Sequence, residues 1–498
     1  MEAVYEIETA TYQAASRTKT ELRQPVAASC RKRGSCVGVY TAAEVAASGH
    51  SVAGVFHPTG ESASFLIRWT RPSGGLGIEK RLLDPNYRFR LPKPSRFWEW
   101  ALTPVRRRVY RERYGVRELE IRGEEHLQAA LGAGHSVMLA INHPAHGDPF
   151  VVFEAMARLR VPCCYLAAWQ VFTGWMGLKG FAFQRLGAFS VDREGTDMRA
   201  FRTAVDVLTQ GKRSLVIFPE GEVYHLNDRV TPLREGAAMI ALTAARRRRR
   251  SHGPPLYLVP CALKYFYLVD PTPQLESVMG RLEARIYWRP RPDRPLVDRI
   301  HRYAEAILAL KELEYLQALG EGSLPQRISS LSEHILQKME VRHLAKVSDE
   351  PIPVRVKQLR YQILTESGAQ VIDDDSAGES TSDMTTPVAS DEQRAAGRRD
   401  LEDLHLVTQL FSYPGDYVAE HPTVERICET IDKFEEDALG TDRAGARTDR
   451  RAILRFGSPI DVTKQFAAST GKTREIAAAL TTMIEQRMQE QIDRIQRV

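Results

Sequence analysis

The stretch "VMLAINHPAHGDPFVVFEAMARLR", residues 137–160, decides the fold that we predict for this chain. Its first five residues are all apolar and form a run short enough for a buried strand. Asp148 and Pro149 then supply a helix N-cap and a proline at the first helical position. We therefore predict a strand, a polar loop and a helix that ends near residue 160. In α/β proteins, ligands bind beyond the carboxyl ends of such strands.

The same alternation of strands and helices continues along the middle of the chain. Residues 199–210 have the apolar spacing of an amphipathic helix, and 235–250 predict another helix. Residues 214–218 and 256–263 are short apolar runs typical of strands. This order predicts an α/β domain at 117–295, with a mostly parallel central sheet flanked by helices.

Composition divides the rest of the chain into five further segments. Residues 366–393 carry eight acidic residues and no basic one, which is typical of a flexible linker. A strand-like run at 452–462 is a candidate to complete the sheet. The predicted segments are a poorly ordered N-terminal extension at 1–84, a basic and aromatic segment at 85–116, a helical extension at 296–365, an acidic disordered linker at 366–398 and a helical C-terminal region at 399–498.

Bulk composition narrows the class of protein. Of the 498 residues, 43% are hydrophobic and 27% charged, as in ordinary globular proteins. We find no apolar run long enough for a transmembrane helix and no signal-peptide pattern. The six cysteines lack zinc or redox spacing, which indicates reduced, buried thiols. We expect a cytoplasmic protein that associates peripherally with the inner face of a membrane.

The segment 85–116 is the candidate for membrane docking. Between Arg88 and Arg113 it has nine basic residues against two acidic ones, interleaved with aromatic side chains. This mixture suits an anionic membrane surface. It is equally typical of nucleic-acid binding, or of a helix that packs its aromatics on its own domain. Because no recognised nucleic-acid module is present, we expect no nucleic-acid partner.

His143 and Asp148 in the predicted loop are a candidate catalytic pair. A carboxylate that hydrogen-bonds one imidazole nitrogen fixes the tautomer and makes the other nitrogen a better base. With no serine or cysteine partner evident, this imidazole would deprotonate a hydroxyl of the substrate. The alternatives are that Asp148 only caps a helix, or that His143, His146 and Asp148 bind a metal ion. Pro144 and Gly147 break any helical register there and no second cluster supplies a fourth ligand, so we predict no metal.

Three further blocks place charged residues, glycine or proline in or next to apolar runs. Arg193 suits bidentate binding of a phosphate or carboxylate, although an isolated arginine is more often in a surface salt bridge. Glu220 follows an apolar run, and Gly221 allows close approach of a ligand to the backbone. Arg234 opens a predicted helix whose N-terminus can face an anion. Pro260 interrupts a strand and is a candidate wall of an apolar groove.

Taken together, four blocks in this order resemble the glycerophospholipid acyltransferase family, of the lysophosphatidic acid acyltransferase type. That family is known by H-x4-D, by G-x-x-F-x-x-R, by F-P-E-G and by an apolar block that contains proline. The resemblance covers about residues 117–270, under a third of the chain. Here the blocks are His143 with Asp148; Gly187, Phe189 and Arg193; Phe218, Pro219, Glu220 and Gly221; and Val259 with Pro260.

The resemblance implies transfer of a fatty acyl group from acyl-CoA or acyl-carrier protein to the hydroxyl of a lysophospholipid, foremost 1-acylglycerol-3-phosphate. It implies no cofactor besides this thioester co-substrate. His143 would be the general base and Asp148 its orienting partner. The other implied roles are acceptor binding by Gly187, Arg193, Glu220, Gly221 and Arg234, and acyl binding by Pro260.

The chain departs from the family's pattern directly after Gly221. The family usually continues with Thr-Arg-Ser, whereas this chain has Glu222, Val223 and Tyr224. A cation and a hydroxyl expected near the acceptor's phosphate are missing, and a carboxylate replaces one of them. This leaves open a different lyso-lipid acceptor, such as a lyso-aminolipid without phosphate. The unexplained helical extension leaves open a non-catalytic membrane-binding protein on the same fold.

Overall fold

One eight-stranded sheet organises the described part of the chain. Its spatial order is β1-β7-β6-β2-β5-β3-β4, and β8 pairs with β6. Strands β6, β2, β5, β3 and β4 are parallel to one another, whereas β7 and β8 are antiparallel to β6. The predicted α/β fold with a mostly parallel sheet is thus confirmed. The strands are β1 Val116–Arg122, β2 Ser136–Ile141, β3 Cys163–Ala168, β4 Ala188–Val191, β5 Ser214–Ile217, β6 Leu256–Tyr267, β7 Arg450–Phe456 and β8 Ile460–Asp461.

Helices cover both faces of this sheet. The structure is a computed structural model that describes residues 89–132, 134–173, 177–193, 197–367, 390–441, 444–467, 469 and 471–497. The predicted extension at 1–84 lies outside these residues, as does most of the predicted acidic linker. The helices are α1 Arg96–Ala101, α2 Thr103–Arg108, α3 Glu124–Gly132, α4 Asp148–Leu159, α5 Leu178–Arg185, α6 Met198–Gln210, α7 Gly236–Arg250, α8 Thr272–Arg285, α9 Leu296–Tyr315, α10 Leu324–Leu344, α11 Ile352–Glu366, α12 Asp391–Phe411, α13 Tyr417–Glu420, α14 Val424–Leu439, α15 Val462–Gln465 and α16 Thr473–Asp493.

The strand and helix predicted at 137–160 are β2 and α4. All six residues of β2 are buried, as expected for a central strand covered on both faces. One difference concerns the start of α4. Gly147 is the N-cap and Asp148 is already the first helical residue, with no side-chain capping bond. The predicted capping role of Asp148 is therefore wrong, because its carboxylate is engaged elsewhere.

The run predicted as one strand at 452–462 is two strands, β7 and β8. Strand β7 ends just before Gly457, whose N–H donates to the carbonyl of Pro260 at 2.8 Å. A Cβ atom on Gly457 would lie 2.9 Å from the same oxygen, so glycine is needed for this close approach. Strand β7 lies between β1 and β6 and thereby completes the sheet.

Because β6 and β7 are neighbours in the sheet, helices α8 to α14 form an insertion between two paired strands. The insertion has its own apolar cores. One joins α9, α10, α11 and α12, and the other joins α8, α9 and α14 to Tyr267 of the sheet. The last part of the predicted linker differs from expectation, since residues from Asp391 onward belong to α12. A capping box of Ser390 and Gln393 starts that helix.

The basic and aromatic segment packs against the sheet domain. Arg106 is buried and donates to the carbonyl of Phe153 at 3.2 Å. The Trp98 ring contacts Phe181 edge to face, with centroids 5.2 Å apart. No helix among the described residues is long and apolar enough to cross a membrane.

Candidate active site

Three loops meet at one edge of the sheet. His143 follows β2, Arg193 follows β4 and Glu220 follows β5. Because these strands are parallel, their carboxyl ends lie at the same edge. Direct contacts connect the loops: the N–H of His143 donates to Glu220 Oε1 at 2.8 Å, and Arg193 Nη1 donates to the carbonyl of Gly221 at 2.5 Å.

His143 and Asp148 are in direct contact. His143 Nδ1 lies 2.7 Å from Asp148 Oδ2, so Nε2 is the nitrogen left to accept a proton. Asp148 Oδ2 also accepts a hydrogen bond of 2.9 Å from the N–H of Ala145. Asp148 is fully buried, whereas the His143 side chain keeps 16% of its surface exposed. The pair thus combines a buried, oriented carboxylate with an imidazole that a substrate can reach.

Tyr265 is a third member of this group that the sequence analysis missed. Its hydroxyl donates to Asp148 Oδ1 at 2.6 Å, so both carboxylate oxygens have donors. Tyr265 lies on β6, far along the chain, and no local pattern around it announces this contact. The Phe218 ring stacks on His143 with centroids 4.2 Å apart. Together these contacts hold the imidazole ring in one orientation.

Asn142 fixes the backbone just before His143. Its side chain accepts from the N–H of Leu263 at 2.7 Å and donates to the Leu263 carbonyl at 2.9 Å. The amide thereby replaces a strand neighbour and extends the pairing of β2 with β6 by one residue. This explains why an asparagine at the end of a fully buried strand is itself buried.

Glu220 occupies an interior position. Its Oε1 accepts from the His143 N–H, and its Oε2 accepts from the Thr231 hydroxyl. The residue is only 3% exposed. Burial raises the pKa of Glu220 to about 7, against the hydrogen bonds from Thr231 and His143, which lower it. Glu220 thus joins the loop after β2 to its own loop, and its predicted acceptor contact stays a prediction.

The raised pKa predicts a pH-dependent stability for Glu220. The folded protein holds this proton up to about pH 7, while the unfolded chain releases it near its ordinary value of 4.5. The stabilising contribution is therefore complete below pH 4.5 and lost as pH rises to 7. Glu220→Gln has no carboxyl group to titrate at this position. From pH 4.5 to pH 7 the free energy of unfolding of the wild type should therefore fall by about 3 kcal/mol relative to that of Glu220→Gln.

Urea unfolding of both proteins at several pH values measures this difference. Glu276→Gln, at an exposed position of α8, is the control and should show no such trend. A stability difference between Glu220→Gln and wild type that stays constant with pH would refute the assignment.

Arg193 and Arg234 share one carboxylate, Glu222. Arg193 Nη1 lies 2.9 Å from Glu222 Oε2, and Arg234 Nη2 lies 3.9 Å from Oε1. Gly221 has φ +81°, and a Cβ there would meet the Arg234 guanidinium at 2.4 Å. Glycine is therefore required where this arginine crosses the loop. The structure brings Arg193, Gly221 and Arg234 together, as expected of residues at one ligand site.

The insertion adds two more cations to the same place. Arg360 and Lys357 of α11 line a cavity together with Arg193, Arg234 and Glu222. Burial opposes ionisation of Glu222, but Arg193, Arg234 and Arg360 outweigh it and lower its pKa below the ordinary value. Sequence reasoning missed Arg360 and Lys357, because nothing local connects α11 with the loop after β5.

Gly187 lies at the other edge of the sheet from Arg193, and its predicted acceptor contact stays a prediction. It precedes β4, at the amino end of the strand, whereas Arg193 follows the carboxyl end. Its φ is +92°, and a Cβ atom would lie 2.6 Å from the carbonyl oxygen of Cys163. Gly187 therefore allows the turn into β4 to pack against β3.

Pro260 is buried within β6, where it pairs with Ala140 of β2. On its other side the partner strand is interrupted between β7 and β8, so the missing N–H of proline leaves no ladder bond unmade. A lining role for the acyl chain stays a prediction.

The four cysteines in the described residues are buried and reduced. Burial raises the pKa of Cys164 to about 11 and that of Cys163 further still. Neither thiol is a thiolate at neutral pH, so neither has the character of a nucleophile.

Comparison with known proteins concerns this same part of the chain. Residues 118–264 match the family model described as Acyltransferase. Over 127 residues the chain is 32% identical to a 1-acyl-sn-glycerol-3-phosphate acyltransferase of Streptococcus pneumoniae (strain ATCC BAA-255 / R6). The matched stretch covers 26% of this chain and 43% of that relative. The chain thus spans less than half the length of the relative.

Proposed function

We propose that the α/β domain of this chain, which matches the Acyltransferase family model, belongs to the glycerophospholipid acyltransferase family and transfers a fatty acyl group from a thioester to the free hydroxyl of a lysophospholipid. The acceptor that we favour is 1-acylglycerol-3-phosphate. The observation that carries the proposal is the contact of 2.7 Å between His143 Nδ1 and the buried carboxylate of Asp148. It leaves the partly exposed imidazole with one nitrogen for the acceptor.

In the proposed reaction the acceptor hydroxyl attacks the thioester carbonyl carbon directly. His143 Nε2 takes the hydroxyl proton as the new C–O bond forms. The C–S bond then breaks, and the thiolate of CoA or of the carrier protein leaves with the proton that His143 returns. Asp148 keeps the imidazole in the required tautomer and stabilises the imidazolium in between. Tyr265 is a positioning residue, because its hydroxyl donates to Asp148, which in turn contacts His143.

The arginine cluster supports a phosphate-bearing acceptor. Arg193, Arg234, Arg360 and Lys357 line one cavity with a single carboxylate, Glu222. Guanidinium groups bind phosphate through paired charge-assisted hydrogen bonds. The cation missing from the expected Thr-Arg-Ser sequence is thus compensated by Arg360 and Lys357 from the insertion. This also gives the helical insertion a role in the reaction.

We expect Arg360→Ala to raise KM for 1-acylglycerol-3-phosphate about tenfold with little change in kcat. A hydrogen bond to a charged group contributes about 1.5–3 kcal/mol, and each 1.4 kcal/mol is a factor of ten. Glu222→Gln should change KM in the opposite direction, since it removes a carboxylate that competes for the same arginines. Steady-state kinetics with varied acceptor measure both. Arg291→Ala, at an exposed arginine of the same insertion, is the control.

The second candidate is an acceptor that carries an amine and no phosphate. Glu222 is the observation that favours it, because a carboxylate pairs with an ammonium group. For such an acceptor Glu222→Gln would raise KM, and Arg360→Ala would not. The sign of the Glu222→Gln effect therefore decides between the two acceptors.

An exposed apolar patch around α1 and α5 supports peripheral membrane docking by this surface. The segment before α1 is hydrogen-bonded to α5, through the N–H of Ser95 and the carbonyl of Arg185 at 3.0 Å. Large apolar side chains of residues 91–105 and of α5 are exposed next to basic residues. This combination suits an anionic lipid surface. The exposed residues are Leu91, Phe97, Trp100, Val105, Leu178 and Phe181.

The proposed function is tested with purified protein, liposomes, acyl-CoA or acyl-carrier protein, and a panel of lyso-lipids. Acylated product from one lyso-lipid class would support an acyltransferase and identify the acceptor. If folded protein binds the liposomes and forms no product with either donor, the non-catalytic alternative is favoured.

A further inference from the structure

A second histidine of the loop after β2 leads to a different site. His146 does not join the catalytic pair; its Nε2 lies 3.5 Å from the carboxylate of Glu436 on α14. His225, in the loop after β5, places its Nε2 3.2 Å from Glu436 Oε2. The three ligand atoms lie within 4.8 Å of one another. Three segments distant in sequence thus present two imidazoles and one carboxylate to the same point.

The separation between each histidine and Glu436 fits a transition-metal ion. A tetrahedral zinc ion bound at about 2.0–2.1 Å has ligand atoms about 3.4 Å apart, close to the separations between each histidine and Glu436. Two neutral histidines hydrogen-bonded to Glu436 would give similar distances. Residues around the three donors therefore distinguish a metal site from a pair of hydrogen bonds better than the distances do.

Two features of those surroundings concern these donors. The cavity beside His146 and His225 is also lined by Arg450, Glu429 and Asp432, and the two acids lie two turns and one turn before Glu436 on the same face of α14. Glu429 accepts from the Tyr417 hydroxyl and Asp432 pairs with Arg447, so Glu436 is the carboxylate that faces the two imidazoles. His225 has φ 51°, a left-handed conformation that non-glycine residues seldom adopt. The fold therefore holds this imidazole in place against a local cost.

We propose that His146, His225 and Glu436 bind a divalent transition-metal ion, zinc foremost, with a fourth position open to water. Two histidines and a glutamate are a recognised zinc donor set. The bound ion would connect the loops after β2 and β5 to the helical insertion. Since His146 lies between His143 and Asp148 in sequence, the ion would also stabilise the loop that carries the catalytic pair. The sequence analysis predicted no metal from the spacing of His143, His146 and Asp148, and it could not connect His146 with His225 and Glu436, which lie far away along the chain.

The test uses the full chain, stripped with a chelator and titrated with Co²⁺ and then with competing Zn²⁺. We expect one ion per chain, with the visible absorption of tetrahedral Co²⁺. Glu436→Gln and His225→Gln should each weaken binding by more than about 100-fold, since loss of even an outer-shell partner can cost that much. His343→Gln is the matched control, because the His343 side chain is 8% exposed and lies between two carboxylates, and the described residues place no second histidine in that group.

Circular dichroism and thermal unfolding in chelator establish whether the variants fold. If they do not, X-ray absorption of the zinc-loaded wild type still tests the site, which requires imidazole and oxygen ligands and no sulfur. The proposal is overturned if the wild type shows no saturable binding, if folded Glu436→Gln and His225→Gln bind as tightly as wild type, or if the absorption spectrum shows thiolate ligands.

Discussion

Replacing His143 by alanine should lower kcat for acyl transfer about a thousandfold, within the range typical for loss of a general base. Nδ1 of this imidazole is held 2.7 Å from Asp148, which leaves Nε2 as the nitrogen presented to the acceptor hydroxyl. KM for the lyso-lipid should change little, because the cations that favour its phosphate lie on other residues. Initial rates with varied acceptor separate the two parameters.

The protein should fold normally after this change, since His143 is at the surface of the site and its backbone N–H still donates to Glu220. His301→Ala is the control, as His301 is an exposed histidine on α9. A His143→Ala rate within tenfold of wild type would remove His143 from the reaction. The general base would then have to be sought elsewhere at this edge of the sheet.

Asp148→Asn should reduce kcat by about 10³ to 10⁴, close to the effect of the same change in a Ser-His-Asp triad. An amide group turned toward Nδ1 would donate a proton there and force the tautomer whose Nε2 carries hydrogen. That nitrogen cannot accept the proton of the acceptor hydroxyl. The side chain is fully buried, so solvent cannot restore the preferred tautomer.

Tyr265→Phe provides the graded comparison, because it keeps the Asp148 charge and removes only the donor to Oδ1. We expect a loss in kcat of about tenfold, the low end for an outer-shell partner. Near-equal effects of Asp148→Asn and Tyr265→Phe would mean that the carboxylate is only structural. Rates measured beside thermal unfolding midpoints distinguish this from simple loss of fold.

The alternation of strands and helices could be read from the sequence because its physical causes are local. The apolar run before Asn142 is buried along its whole length as β2. The contact between His143 and Asp148 needs only one short loop between a strand and a helix. Even here the local pattern misled in one respect, since Asp148 has the chemistry of a helix cap but its carboxylate binds His143 and Tyr265.

The roles of Gly187 and Glu220 were harder to interpret, because they depend on residues that lie far away along the chain. Gly187 resembled part of an acceptor site, yet its neighbour in space is the backbone of Cys163 at the opposite edge. Glu220 resembled a ligand-binding carboxylate, yet burial turned it into a link between two loops. In both cases the neighbours in space lie far away along the chain, so no local pattern shows them.

The α/β class, the loop that bears His143 and Asp148, and Arg193 and Arg234 as candidate site residues could be identified from the sequence alone. Each depends on hydrophobic periodicity or on a motif within a few residues. The tertiary structure was needed to show that Tyr265 supports Asp148, that Arg360 and Lys357 join the arginine cluster, and that Glu436 faces two histidines. The last two follow from the insertion between β6 and β7, whereas Tyr265 reaches Asp148 from β6 itself. The order of strands in a sheet and the docking of a helical insertion depend on packing summed over the whole chain, which no local pattern of residues specifies.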